Sequence, residues 1–252
     1  MSARGLKGLS SGLQQLLGLR WKPIAVKLVT KEDHETLPDE SSRRLRYCQL
    51  LMEAKKGKSL SLTAESISCP AAASALGFLP LPEKISSGEM LEALGLFTSR
   101  KAAAKTMARM PRMKHGKIKA VATAPLEEAK FTPDVIIVED QPEKVMWLNL
   151  AAIHEEGGRL SFNSAVFQAC CVDVTVIPYL TKEVNISLGC YGCRDATDIA
   201  EDECLVGIPF EQLGGIIESI EALSKKAMPQ AREKRTYSQF IKSEEAIFKV
   251  RH

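Results

Sequence analysis

The chain repeats one local pattern, first in YCQLLMEAKKGKSLSLTAESISC (Tyr47 to Cys69) and again in WLNLAAIHEEGGRLSFNSAVFQAC (Trp147 to Cys170). Each stretch opens with apolar residues at helical spacing and then reaches a glycine, Gly57 or Gly157. Each continues with alternating residues, SLSLT or RLSFN, and arrives at a cysteine six or seven residues later. Helical spacing predicts a helix that the glycine ends, and alternation predicts a strand. We therefore expect a helix, a strand and a cysteine loop in both places.

The sequence around these two stretches also recurs. Upstream lie the β-rich runs PIAVKLV (23–29) and PDVIIVED (133–140). Downstream, LGLFTSR is matched by LGCYGCR, and ATAPLE by VGIPFE. Five features in the same order predict two homologous halves, about residues 20–130 and 131–215, although strand–helix–strand patterns are common enough to recur by accident. Each half would contain a strand, a helix, a strand, a cysteine loop, an LGxxxxR motif and a Pro-led helix.

The predicted fold class is α/β or α+β, with two pseudo-symmetric halves of strand–helix–strand units and helices at both ends. Leucines three or four residues apart predict an amphipathic helix over residues 3–18, and a similar stripe predicts one over 210–225. These bounds give one domain over 1–225, followed over 226–252 by a polar basic tail with a loosely docked helix. Equivalent loops of two such halves face each other, so we expect a shared site at the seam.

Composition narrows the class of protein. Of the 252 residues 45% are hydrophobic and 26% charged, with a net charge of +3, which is ordinary for a folded domain and by itself implies no nucleic acid. No apolar stretch approaches the roughly 20 residues of a membrane helix, and we expect no signal peptide. Seven cysteines, an odd number, favour free or metal-bound thiols in a reducing cytoplasm over a disulfide framework.

The cysteines are the candidate chemistry. Cys190 and Cys193 form a CxxC around Tyr191 and Gly192, and this spacing fits a redox dithiol, half of a zinc site or an iron–sulfur ligand pair. Gly192 would permit the positive φ of a tight turn. The residues after the motif are a poor helix start, which weakens a thioredoxin-like interpretation. The wider set could supply four thiolates, or could pack as small buried hydrophobes; its members are Cys48, Cys69, Cys170, Cys171, Cys190 and Cys193. Cys204, in an acidic stretch, is expected to be a packing residue.

The charged residues suggest a second kind of site. Residues 100–119 carry eight Lys or Arg and no acidic residue, which indicates a solvated basic face, a surface for an anion or acidic protein, or, with less support, a nucleic-acid surface. Arg100 and Arg194 end the two LGxxxxR motifs. They could hold an anion at the seam or cap loop carbonyls. No GxGxxG, Walker A, GxSxG or HExxH motif is present, and no acid–base pair can be assigned.

The motifs quoted above, together with the continuations SCPAAASALG, APLEEAKFTPDVIIVEDQPEKVMWL and NISLGCYGCRDATDIAEDECLVGIP, resemble the bacterial and archaeal family called domain of unknown function 169. The resemblance covers about residues 8–224. It implies a cytoplasmic protein, common in anaerobes and methanogens, without an established activity. It also implies family cysteines at Cys48, Cys69, Cys170 or Cys171, and Cys190, with a family Gly and Arg at Gly192 and Arg194. Cys193 and Cys204 look particular to this chain.

We therefore expect a protein that binds an iron–sulfur cluster, [4Fe–4S], in a redox, sensing or metalloenzyme-accessory role. Zinc is the alternative metal. A non-redox protein that binds a small anionic metabolite through Arg100, Gly192 and Arg194 is the alternative function, and a thiol enzyme with Cys190 as its nucleophile is a third. Whether the protein is an enzyme stays open. The expected partners are an acidic or redox protein or a second copy of the chain, with no membrane and no nucleic acid.

Overall fold

The computed structural model describes residues 5–165 and 167–232. The strands of this part are β1 (Ile24–Val29), β2 (Leu60–Leu62), β3 (Ala120–Pro125), β4 (Val135–Asp140), β5 (Asn185–Ser187) and β6 (Cys204–Pro209). They form one sheet in the order β2-β3-β1-β4-β6-β5, and every neighbouring pair is antiparallel. Helices with an antiparallel sheet make the fold α+β, the second of the two predicted classes.

The helices cover both faces of this sheet. They are α1 (Leu6–Leu17), α2 (Tyr47–Lys55), α3 (Pro70–Ala75), α4 (Glu83–Ser86), α5 (Glu89–Ala93), α6 (Arg100–Ala108), α7 (Pro142–Ala152), α8 (Ile177–Thr181), α9 (Tyr191–Ala196), α10 (Leu213–Lys225) and α11 (Ala227–Arg232). A π-helix spans Ala169–Val176. The cores are separate: α2, α3, α6, α9 and the π-helix pack on one face, and α1, α7 and α10 on the other.

The central strands β1 and β4 explain the two layers. Their residues are almost all buried, so the usual apolar–polar alternation is replaced by apolar side chains on both faces. Ile24 pairs with Ile137 across the ladder, and both side chains face the core that contains α2. Ile136 and Val138 face the opposite core. The predicted strands at 23–29 and 133–140 are confirmed.

The predicted Pro-led helices are wrong in one respect. ATAPLE and VGIPFE begin inside β3 and β6, which the sequence prediction missed. In each case the strand ends at its proline, which cannot donate a ladder hydrogen bond. A single 3-10 turn follows, Leu126–Glu128 or Phe210–Gln212. Only the second turn leads into a long helix, α10.

The predicted strand RLSFN (159–163) is also wrong, because this segment has no regular structure. Its hydrogen bonds go to a side chain instead of a ladder. The Asn163 N–H donates to Asn185 Oδ1 (2.9 Å), and Asn185 Nδ2 donates to the Asn163 carbonyl (3.0 Å). The same amide reaches the Asp173 carbonyl at 2.8 Å, so Asn185 ties the segment to β5 and to the π-helix.

The terminal helices are confirmed, with α1 inside the predicted 3–18 and α10 inside 210–225. In the predicted tail, α11 continues the chain and buries Met228. Residues 233–252 lie outside the described residues, and so does the remainder of that prediction. In the described ranges, no helix is both long and apolar enough to cross a bilayer.

Candidate cysteine site

Six of the seven cysteines lie on the same face of the sheet. Cys48 is on α2, Cys69 precedes α3, Cys170 and Cys171 are on the π-helix, and Cys190 and Cys193 are at the start of α9. Five are buried in one core, and Cys69 packs against it half-buried. Cys204 is on β6 and faces the opposite core, apart from the rest. All seven are free thiols, as the odd count predicts.

The CxxC pair is the closest contact in this group. Cys190 Sγ and Cys193 Sγ are 3.2 Å apart, and the Cys193 N–H points at Cys190 Sγ at 3.4 Å. A backbone donor aimed at a sulfur is the kind of second-shell contact that stabilises a thiolate ligand.

Burial and crowding raise the pKa values of three of these thiols, Cys170, Cys171 and Cys190. The pKa of Cys170 is raised well above its usual value by a hydrogen bond with Cys193, by burial, and by the neighbouring Cys48 and Cys190. Burial, then Cys69 and the CxxC pair, raise the pKa of Cys171 in the same way. Among residues 5–165 and 167–232, no three His, Cys, Asp or Glu side chains are arranged to hold a single metal ion.

The π-helix sets the position of the adjacent pair. π-Helices are rare in proteins, and those that occur are often at functional sites. Gln168, the residue before this one, has a left-handed φ of 53°. Its backbone packs directly on β6, because a Cβ at Gly207 would lie 2.2 Å from the Val174 carbonyl oxygen. Only glycine permits this approach, so Gly207 fixes the height of the π-helix above the sheet.

A buried hydrogen-bond chain joins α2 to the π-helix. Thr175 Oγ1 donates to the Cys170 carbonyl (2.7 Å), which leaves Tyr47 Oη to donate to Thr175 Oγ1 (2.8 Å). Burial raises the pKa of Tyr47 well above its usual value, so this hydroxyl stays a donor. Because Tyr47 directly precedes Cys48, these hydrogen bonds fix the position of Cys48 relative to Cys170.

Arg194 closes the loop that carries the CxxC. Its guanidinium donates to the carbonyls of Leu188 (2.6 Å), Ala200 (2.8 Å) and Glu203 (2.9 Å), so it caps loop carbonyls. The glycine with positive φ in this loop is Gly189 (φ 82°), which also lies against Arg194. Gly192 lies in α9 without a positive φ, which corrects the predicted turn. Cys190 directly precedes α9, so a short helix does begin at the motif.

Arg100 has different partners from Arg194. It begins α6 and pairs with Glu92 (3.0 Å) and Glu89 (3.7 Å), both on α5. The two arginines of the LGxxxxR motifs are therefore each engaged locally. Both guanidinium groups already have partners, so neither is free to bind an anion at the seam as the sequence suggested.

Sequence reasoning missed a second polar group on the cysteine face. Lys55 Nζ contacts Glu139 Oε1 at 2.6 Å, and both side chains are at most 1% exposed. A signal existed, since Lys55 lies seven residues after Cys48 on the buried stripe of α2. Glu139 likewise follows Val135 and Ile137 at strand alternation, on the same face of β4.

Comparisons with known proteins identify the family. The family model of domain of unknown function 169, described as uncharacterised ArCR, matches residues 12–219. An uncharacterized protein of Methanocaldococcus jannaschii is 32% identical over 228 residues, which cover 88% of this chain and 96% of that protein. No solved structure matches the chain. The chain therefore belongs to the domain of unknown function 169 family.

Proposed function

We propose that this protein binds a [4Fe–4S] cluster on the cysteine face of its sheet, in a redox, sensing or metalloenzyme-accessory role. The supporting observation is the convergence of six thiols from four separate elements into one core. Soft thiolates are the ligands that iron–sulfur clusters use. Packing alone would not require six thiols in one place, and the one cysteine on the other face provides the contrast.

The proposed ligands are Cys48, Cys69, Cys190 and one of Cys170 and Cys171. Single-ion sites bring all sulfurs to about 2.3 Å from one point. A four-iron cluster is larger, so its ligands need not converge on one point, and among the described residues no three such side chains surround a single ion.

The strand order supports the proposed pseudo-symmetry. Read from the centre outward, β1, β3 and β2 are mirrored by β4, β6 and β5. Both β3 and β6 end in proline and a 3-10 turn. This arrangement relates Cys69, which precedes α3, to Cys190, which precedes α9. It also relates α2 to the π-helix, a different correspondence from the one that the sequence repeat suggested. The cluster would then lie at the seam between two halves.

The alternative of a small anionic metabolite at the seam has less support. Arg194 donates to three carbonyls, and Arg100 pairs with two glutamates. The thiol-enzyme alternative requires a thiolate at Cys190, whereas the hydrogen bond with Cys193 and burial raise its pKa. The cytoplasmic location and the homo-oligomer stay predictions.

A basic surface supports the proposed acidic protein partner. Exposed cations extend along α6 and the segment after it; they are Lys101, Lys105, Arg109, Arg112, Lys114, Lys117 and Lys119. The Met113 N–H donates to the Ala75 carbonyl at 2.8 Å, which places this surface beside the end of α3. A partner that docks there would be an acidic electron-transfer protein, and its binding should weaken with added salt.

Anaerobic purification tests the cluster. We expect broad absorption near 400 nm and about four irons and four sulfides per chain. Serine at Cys48, Cys69 or Cys190 should abolish the colour, and separate Cys170→Ser and Cys171→Ser variants should identify the fourth ligand. Cys204→Ser is the matched control and should keep the cluster. One zinc without colour would favour the structural metal, and a colourless, metal-free protein after anaerobic reconstitution would refute both.

A further inference from the structure

A buried charged group lies on the cysteine face at the far end of α2. Lys55 Nζ contacts Glu139 Oε1 at 2.6 Å and Asp198 Oδ1 at 3.3 Å. It also lies 4.3 Å from the centre of the Trp21 ring. Lys55 and Glu139 are fully enclosed, whereas the Asp198 side chain is 45% exposed. A buried lysine with this many anionic neighbours is uncommon unless the group has a use.

A third carboxylate faces the same lysine. Glu203 accepts from Trp21 Nε1 at 2.8 Å and from the Ala200 N–H at 2.9 Å. Its side chain is 2% exposed, and Arg20 lies 3.7 Å away. The oxygens of Glu203 are therefore well supplied with donors. Glu139 differs, because its Oε2 atom is buried and has no hydrogen-bond partner among the described residues.

A proton on Glu139 would give its unpaired oxygen a hydrogen-bond partner. If Glu139 is protonated on Oε2, that atom becomes a donor and its neighbour Glu203 is the acceptor. The two residues show the corresponding opposite shifts. Burial raises the pKa of Glu139 to about 7 in spite of Lys55, while backbone and indole donors lower the pKa of Glu203. Two adjacent carboxylates with one buried cation characteristically share a proton in this way.

We propose that Glu139, with Lys55 and Glu203, is a proton-exchange site whose affinity for a proton rises when the cysteine site is reduced. In this step a one-electron donor such as dithionite supplies the electron to the cluster. One solvent proton forms an O–H bond on Glu139 Oε2, and reoxidation returns both. The coupling rests on the proposed function, whereas the proton site stands on its own contacts.

Helix geometry brings the two sites within electrostatic reach. Cys48 and Lys55 are seven residues apart on α2, which places them on one face about 10 Å apart at 1.5 Å per residue. One added electron at that distance, with an effective dielectric constant of about 20, changes the proton affinity of Glu139 roughly tenfold. Asp198 connects the site to solvent, because it contacts both Lys55 and the exposed Lys56.

The charged groups that face Glu139 come from every element packed around it. They are Lys55 from α2, Glu203 from the segment before β6, Asp198 from the segment after α9 and, through Glu203, Arg20 from the segment after α1. None of them is a proposed cluster ligand. The proton of Glu139 can therefore be assigned separately from the thiol protons.

Infrared difference spectroscopy of the full chain tests the proton site, whether or not the cluster is present. We expect the band of a protonated carboxyl group that titrates near pH 7 in the wild type and is lost in Glu139→Gln. Glu203→Gln should keep the band and move its titration to lower pH, because it removes the neighbouring negative charge. The exposed Glu143→Gln is the control. A wild type without such a band, or a band that survives in Glu139→Gln, would overturn the assignment.

Potentiometric titration between pH 6 and 9 tests the coupling. The midpoint potential of the wild type should fall by about 59 mV in total for a tenfold change, nearly all of it between pH 6 and 9 and most steeply just above pH 7. In Glu139→Gln the potential should be independent of pH in that window. A pH-independent wild type would overturn the coupling while the infrared result stands. A protein without any redox centre would overturn the coupling and the proposed function together, and would leave the proton site to be decided by its carboxyl band.

Discussion

Replacing Gly207 by alanine should displace the π-helix from the sheet. The added Cβ would lie 2.2 Å from the carbonyl oxygen of Val174 and 2.7 Å from its carbonyl carbon, where ordinary contact begins at 3.4 Å. The clashing atoms are backbone, so no rotamer change can relieve them. The π-helix must move by about 1 Å, or β6 must bend. Overpacking of this kind costs about 1–3 kcal/mol, and we expect the upper end because both partners are backbone.

Urea unfolding measures this cost. With a denaturant slope of about 3 kcal/mol per molar, the midpoint should fall by about 1 M at unchanged slope. Because Cys170 and Cys171 move with the π-helix, their reaction with a maleimide should also become faster than in the wild type. Gly215→Ala is the matched control, since Gly215 is exposed on α10 and has nothing within 4 Å of its added Cβ.

The control should gain up to about 1 kcal/mol, because alanine is the better helix former. An unchanged midpoint in Gly207→Ala would refute the reasoning, since it would mean that the close approach of the π-helix to β6 is not a constraint. Equal losses in the two variants would also refute it. In that case the effect would come from the alanine and not from the contact with Val174.

Three further predictions concern the polar groups. Lys55→Met should cost about 3–5 kcal/mol in urea unfolding, because it leaves a buried carboxylate unpaired, and combining it with Glu139→Leu should recover most of the loss. Burial raises the pKa of Asp173 to about 6, so the protonated form is favoured by folding and its contribution to stability is lost as the pH rises from about 4 through 6. Between pH 4 and 7, the free energy of unfolding of Asp173→Asn should therefore rise by about 3 kcal/mol relative to that of the wild type. Chemical denaturation at each pH measures this difference. Arg194→Lys cannot reach three carbonyls at once, so hydrogen exchange of the amides between residues 188 and 203 should become at least tenfold faster.

The sequence predicted the elements whose pattern is local. β1 and β4 are largely apolar runs, and α2 buries one stripe of apolar residues, so their existence followed from the pattern. β3 was missed because ATAP has small residues and a proline, and its strand state depends on β1 and β2, which lie on either side. RLSFN alternates as a strand does, but Asn185 offers it side-chain hydrogen bonds where an edge ladder would have formed. Tertiary partners decided both cases.

The sequence likewise indicated part of the candidate site, and the rest depends on tertiary contacts. The count and spacing of the cysteines indicated a thiol site, and the structure places the six proposed cysteines on one face while Cys204 faces the other core. The contacts of Arg194 with loop carbonyls could not be read from the LGxxxxR motif, because they depend on how the loop folds back. The neighbours of Lys55 were equally hidden. Glu139 on β4 and Glu203 just before β6 approach it from segments that are far away in the sequence.

The strand order has a consequence for how the chain is made. β1 pairs with β3 and β4, so Ile24 finds its partners only at Pro125 and Ile137. At about 5–20 residues per second, a ribosome takes on the order of 5–20 s to supply the intervening hundred residues. During that time the strand IAVKLV, apolar on both faces, has no ladder to join. Nascent-chain binding by chaperones should therefore concentrate on this segment, and slow folding should originate here.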